Sequence, residues 1–343
     1  MKDCSQDIKK YYDDRVMLPE AERKPMRNRR DDNRKRLKKR QVEAELPVPR
    51  EHMVQGSYAM YTMTQHDEND WDIDDGAVFT KSDLVGPRGG DMSCRDAKAM
   101  VAEALKDKRL NDPPSVHTNC VRIHYHQGYH LDIPVYRYSV DDEGNDVYEL
   151  AGTEWRESNP RLITSWYNQA VIDKSPGNDG DRQMRRVTSL LKAFGRSANR
   201  KSWNMPSGLI LSVLVDEQYV AIEGRDDESW YTTIKGIRDR LNFDLTVQHP
   251  CEDVDEELTK SNADACMSFL RDKLSWAIDL LAPTQSSACE RSEALKCWKK
   301  VFDTDFFDSL IEEAEKEEKE RSNRRNAMRA GVCRPKPFHG GTR

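Results

Sequence analysis

Between residues 71 and 79 the chain reads Trp-Asp-Ile-Asp-Asp-Gly-Ala-Val-Phe, with apolar side chains at 71, 73, 77 and 79. Alternation with a period of two marks a β-strand, so Asp72 and Asp74 share the face opposite Ile73. Two ionised carboxylates this close repel each other, and a shared divalent cation is the simplest relief. A solvated acidic turn at a sheet end has the same pattern. Asp75 should point inward, or lie where the ladder is disturbed before Gly76. Ser57 of Gln55-Gly56-Ser57 precedes Asp72 by 15 residues. If a helix starts there, Ser57 and the neighbouring N–H groups can hold the β- and γ-phosphates of a nucleotide; an ordinary helix N-cap is the alternative.

A third carboxylate joins them. Residues 121–136, Val-Arg-Ile-His-Tyr-His-Gln-Gly-Tyr-His-Leu-Asp-Ile-Pro-Val-Tyr, alternate twice around Gln127-Gly128. A three-residue loop over 127–129 pairs 126 with 130 and 124 with 132, which keeps polar and apolar faces consistent. Asp132 then shares a polar surface with Arg122, His124 and His126, and Pro134 predicts that this strand soon meets an edge or an end. Three carboxylates suit a two-metal site for nucleotidyl transfer. One ion would bind the triphosphate and the other would activate a ribose hydroxyl, with Asp132 as ligand or proton acceptor. His124, His126 and His130 read better as the polar side of a hairpin lining that cleft than as metal ligands.

These residues carry a resemblance. Gln55-Gly56-Ser57-Tyr58-Ala59-Met60-Tyr61-Thr62, the Asp72-Ile73-Asp74-Asp75-Gly76 strand and His130-Leu131-Asp132-Ile133-Pro134-Val135-Tyr136 are similar to the GS…DxD…D pattern of DNA polymerase β-type nucleotidyltransferases. More narrowly they resemble the bacterial cGAS/DncV-like nucleotidyltransferases (CD-NTases), whose products are cyclic oligonucleotide second messengers. The resemblance implies two Mg²⁺ ions, with Mn²⁺ as a substitute, on Asp72, Asp74 and Asp132. It implies nucleotide contacts from Gln55, Gly56, Ser57 and Arg122, and a lysine and a serine on the triphosphate, carried here by Lys192 and Ser207. Read from the residues alone, Lys192 is a solvated helix lysine and Ser207 a helix-start serine. Met60 stands where some relatives carry an aromatic base contact, which implies a different base preference.

The implied fold is α+β and bilobal, a polymerase β-like nucleotidyltransferase core with a mixed sheet plus a C-terminal helical lobe. The expected organisation is N-terminal helices over 1–49, a catalytic core over 50–159, a helical lobe over 160–327 and a flexible tail over 328–343. Pro19 and Pro25 should break the N-terminal helices. Helical patterns cover 94–107, 160–172, 182–196, 206–220, 227–241, 261–281 and 290–325, and Asp173–Asp181 reads as a mobile loop. Thr164 and Ser165 are candidates for reaching a base.

Composition narrows the function classes. Net charge is -6, against a protein that binds nucleic acid over its whole surface. Residues 23–40 nevertheless hold eleven Lys or Arg against two Asp; no aromatic interrupts them for base stacking, so an exposed helix face paired with acids elsewhere is the expectation. Mean hydropathy is -0.89. No apolar run approaches the roughly 18–20 residues of a membrane span, and the charged start lacks a signal-peptide core, so a cytoplasmic location without membrane contact is expected. Eight cysteines form no C-x-x-C pair, the pattern of reduced thiols without structural zinc.

The implied activity joins ribonucleoside triphosphates, ATP or GTP, into a cyclic di- or trinucleotide that reaches a downstream effector in anti-phage (CBASS) signalling, with nucleic acid not required. The C-terminal tail is similar in character to those gripped by a ubiquitin-transfer-like partner, though an ordinary disordered terminus has the same composition. The rival readings are a nucleotidyltransferase acting on RNA or a protein acceptor, and an inactive nucleotide sensor or scaffold.

Overall fold

The computed structural model describes residues 1–65, 71–110, 112–126, 128–177, 182–251, 254, 256–261 and 263–332. Its first half contains Ser5–Tyr11 (α1), Glu20–Glu43 (α2), Glu51–Gln55 (β1), Gly56–Ala59 (α3), Asp72–Thr80 (β2) and Cys94–Leu105 (α4). The sheet continues with Ser115–Val116 (β3), Val121–His124 (β4), His130–Ile133 (β5), Val135–Val140 (β6), Asp146–Ala151 (β7) and Trp155–Glu157 (β8). Helices follow: Pro160–Lys174 (α5), Gln183–Phe194 (α6), Gly208–Gln218 (α7), Asp226–Phe243 (α8), Ala265–Leu281 (α9), Arg291–Phe302 (α10) and Asp308–Val332 (α11).

The sheet is mixed, and β2 is its spine. β2 pairs antiparallel with β1 and parallel with β5 and β6. Asp74 opposes Asp132 and Ala77 opposes Val135, one constant offset, so β5 and β6 are a single strand interrupted at Pro134. Having no N–H, Pro134 ends the ladder locally, while its carbonyl still accepts from Ala77 N at 2.8 Å. After Asp74 the alternation of β2 disappears: Asp75, Ala77, Val78 and Phe79 are all buried. Ile73, Ala77 and Phe79 enter one core with α4 and α2, whereas Val78 joins Met53, Tyr136, Tyr148 and Leu150 on the other face. The strand is most open to solvent at the end that carries Asp72.

A second core belongs to the helices. Met184, Val187, Leu190, Leu191 and Phe194 form the apolar stripe of α6 and pack with α7 to α11. The N-terminal segment serves both cores: Ile8, Tyr11 and Tyr12 enter the helical one, Met26 and Leu37 the sheet one. Lys2 N donates to Thr284 O at 2.6 Å, Cys4 N to Asp227 Oδ2 at 2.8 Å, and Arg291 grips Asp7 through both carboxylate oxygens.

Three expectations are corrected. Pro25 does not break α2; it lies in the second turn, where only one helical bond is forfeited, and buried Arg23 and Met26 anchor that turn. The pattern over 290–325 is two helices, because Asp303 adopts a left-handed conformation (φ 50°) fixed by donors from Ser197 and Asn199. The hairpin pairs His124 with His130 and Arg122 with Asp132, two residues away from the expected register. Gly128 N donates to Tyr125 O and Tyr125 N to Tyr129 O, so the turn begins one residue earlier than assumed. A shift of two conserves the face of every side chain. The expected loop tip at Gln127, part of the loop Asp173–Asp181 and the tail from Cys333 onward lie outside the described residues.

Candidate active site

Asp74 and Asp132 are register partners on adjacent parallel strands, so their side chains leave the same face, and Asp72 follows two residues along. Burial, then the charges of Asp132 and Asp72, push the Asp74 carboxyl up to about 7. That is the signature of acids held together in a partly dry site. Arg122, opposite Asp132 on β4, donates Nε and Nη2 to the two oxygens of Asp132 at 2.7 and 2.6 Å. Arg122 thus holds both oxygens of the third carboxylate. Burial pushes the Cys120 thiol, beside the Asp132 carboxylate, up to about 12. His130 Nε2 lies 3.5 Å from Asp72 Oδ1, and the His124 and His130 rings pack edge to face. Among the described residues no three His, Cys, Asp or Glu side chains form a ready-made metal cage.

The Gly-Ser turn sits directly against this face. β1 runs antiparallel to β2 and brings Gln55 opposite Asp74. Gly56 then turns the chain into α3 with φ +67°. A β-carbon there would strike Asp74 Oδ2 and lie 3.2 Å from Asp74 Cγ, so only glycine lets the backbone approach the carboxylate this closely. The N-cap position belongs to Gln55, with no side-chain cap, which places Ser57 inside the first turn rather than at a cap. Gln55 Oε1 accepts from Tyr136 OH at 3.1 Å.

A cleft of about 400 Å³ opens above these residues. One wall is Gln55, Gly56, Ser57, Met60, Trp71 and Asp72; the other is Lys192 and Arg196 with the apolar Ile163, Met205, Leu209 and Leu211. Lys192 is not a solvated helix lysine: it is 8% exposed and donates to Thr62 Oγ1 at 2.6 Å. Burial, then the nearby charge of Arg196, pushes its ammonium down to about 7. Ser207 is the N-cap of α7, accepting from Ile210 N at 3.3 Å, while its neighbours Pro206 and Gly208 line the cleft. Thr164 bonds back to Pro160 O, and the cleft is met by Pro160 and Ile163 instead.

Sequence reasoning missed Arg196 and its partner Thr64, and Thr62. Arg196 had a signal, since it lies four residues beyond Lys192, just past the end of α6. The two threonines had none. The basic stretch 23–40 turns part of its charge inward. Arg34 grips buried Asp75 with two donors, Arg36 pairs with Asp107, and Arg23 donates to Tyr58 O while covering the Tyr58 ring. Asp75, on the back of β2, thus points inward as one of its two readings had it.

The fold is that of the polymerase β-type nucleotidyltransferases. Residues 50–136 match the family described as "Cyclic GMP-AMP synthase DncV-like, nucleotidyltransferase domain". Its fold is similar to Vibrio cholerae DncV cyclic AMP-GMP synthase in complex with the linear intermediate 5′ pppA(3′,5′)pG, at 16% identity, TM-score 0.69, covering 91% of this chain and 99% of that one. The same enzyme with nonhydrolyzable GTP gives 17% identity and TM-score 0.70 over 91% and 98% of the two chains. The Vibrio cholerae di-nucleotide cyclase DncV with GTP and 5MTHFGLU2 gives 17% identity and TM-score 0.71 over 91% and 99%.

Proposed function

We propose that the protein joins ribonucleoside triphosphates, ATP or GTP, into a cyclic di- or trinucleotide with release of pyrophosphate. We place it in the bacterial cytoplasm, where the product signals to an effector in anti-phage defence. The observation that carries the reading is the register pairing of Asp74 with Asp132 beside Asp72, which lines a cleft that Lys192 also lines. The likeness to a synthase captured with a linear intermediate supports cyclisation as the outcome.

The donor set suits magnesium, with manganese as a substitute: three hard carboxylate oxygens, one of them on an acid whose proton affinity is raised by its two neighbours. Asp72, Asp74 and Asp132 would hold the metal, which when bound neutralises phosphate oxygens and makes the attacking hydroxyl more acidic. The remaining work belongs to the chain. Asp132, oriented by Arg122, accepts the proton of the ribose hydroxyl. The hydroxyl oxygen bonds to the α-phosphorus as the bond to the β-phosphate bridging oxygen breaks, and pyrophosphate leaves with that electron pair. Ser57 and the N–H groups around it steady the triphosphate, Lys192 leaves Thr62 for a phosphate oxygen, and the apolar wall excludes water around a base. A second transfer within the linear product closes the ring.

Labelled triphosphates incubated with the protein and Mg²⁺, then treated with phosphatase, should leave a resistant low-mass product that mass spectrometry identifies. Asp72→Ala/Asp74→Ala should abolish it. Phosphatase-sensitive linear material alone would defeat cyclisation, and label confined to high mass would select an RNA or protein acceptor.

A further inference from the structure

Lys192 and Arg196 are cations that line the same cleft. Arg34, Arg122, Arg137, Arg186 and Arg225 each meet a carboxylate. Among the described residues, Lys192 and Arg196 meet none; they rest on the neutral hydroxyls of Thr62 and Thr64, at 2.6 and 3.2 Å. Both hydroxyl-bearing residues are 1% exposed. The two cations lie four residues apart across the end of α6, close enough for Arg196 to disfavour the charge on Lys192. A third source of positive potential faces them, since the nearest atoms to a β-carbon on Gly208, first residue of α7, would be Lys192 Cε and Nζ at 3.4 and 3.5 Å. Like charges gathered without an acid cost free energy until an anion arrives. Lys192 is deep in the wall, and Arg196 is exposed at its rim.

We propose that Arg196 is a further substrate-binding residue of this site, holding the β- and γ-phosphates that depart as pyrophosphate. The proposal rests on the nucleotidyl-transfer reading and extends it. With the α-phosphate at the carboxylates, the two outer phosphates lie along the wall that Lys192 and Arg196 share. Arg196 exchanges Thr64 Oγ1 for phosphate oxygens. The planar fork of a guanidinium can engage two such oxygens at once, which an ammonium cannot. The pair of cations thereby selects triphosphates over monophosphates, and it stabilises the charge that builds on the leaving group in the transition state.

The test is calorimetric titration of the full chain with inorganic tripolyphosphate and Mg²⁺, comparing wild type, Arg196→Gln, Arg196→Lys and Thr64→Val. Wild type should bind. Arg196→Gln should weaken binding by on the order of tenfold, the scale of one screened charge-assisted contact. Arg196→Lys should recover part of the loss, Thr64→Val should bind as wild type, and AMP affinity should stay unchanged throughout. Equal affinity in wild type and Arg196→Gln overturns the proposal, as does absence of binding by wild type. A loss in Thr64→Val as large as in Arg196→Gln also overturns it, because Arg196 would then be a tether for the 60–64 segment. The readout needs no turnover. Arg196-dependent binding in a protein that makes no cyclic product would sink the proposed function and leave this assignment standing.

Discussion

Gly56→Ala separates backbone strain from site geometry. An alanine at φ +67° sits in the left-handed region, at a cost of roughly 1–2 kcal/mol. Its β-carbon would also overlap Asp74 Oδ2, and ordinary contact requires the carboxylate to retreat by roughly 1 Å. A displacement of that size at reacting groups costs about 10²-fold in rate, or about 2.7 kcal/mol of transition-state stabilisation. Gly144 supplies the control: its φ is +87°, and a β-carbon there meets nothing within 4 Å. Gly144→Ala should show the strain alone, a few degrees in melting temperature with full activity. Gly56→Ala should melt similarly and lose about a hundredfold in kcat/KM, measured as pyrophosphate release from triphosphates. Wild-type kcat/KM in Gly56→Ala would refute the idea that this glycine makes room for the catalytic acid.

The remaining predictions use the same site. In metal-free protein the folded Asp74 carboxyl holds its proton up to about 7 against an ordinary 3.8, so between those values the folded chain binds more protons than the unfolded one and its Asp74 contribution to stability falls as pH rises. Lys192 acts oppositely: from about 7 to 10.5 the unfolded chain binds the extra proton, and its contribution improves with pH. Melting curves across this range should lose the first trend in Asp74→Asn and the second in Lys192→Met, and an unchanged profile in either variant counts against the burial argument. Lys192→Met should also raise KM for triphosphates by at least about tenfold without lowering the melting temperature, since it removes a desolvated charge from a packed wall. Arg34→Ala leaves Asp75 buried without its cation, and denaturant titration should find a loss of about 3–5 kcal/mol, largely recovered in Arg34→Met/Asp75→Leu.

Much of this arrangement is legible in the chain because it depends on parity. Asp72 and Asp74 lie two apart in a strand, and Asp132 keeps its face under any even slip of the hairpin, so the acids meet even though the expected register was off by two. The α6 stripe at 184, 187, 190, 191 and 194 is likewise a local pattern. The expectations that failed depend on distant partners. Asp303 takes a left-handed turn because Ser197 and Asn199 reach it from another connection, and Lys192 is dry because an irregular segment at 60–64 lies over it. The grip of Arg122 on Asp132 needs the true register. Helical spacing offered Arg196, but nothing in the sequence said that it lacks an acid.

The N-terminal segment has a consequence for synthesis. Residues 2–7 close onto Thr284, Asp227 and Arg291, so a stretch that leaves the ribosome well before its partners must wait for them. Until then Ile8, Tyr11 and Tyr12 have no helical core to enter, and the nascent chain carries them uncovered. Contacts of such long sequence separation make folding slow and post-translational. A chain halted before α10 would keep its acids and its glycine-serine corner and still lack the closure that joins its two halves.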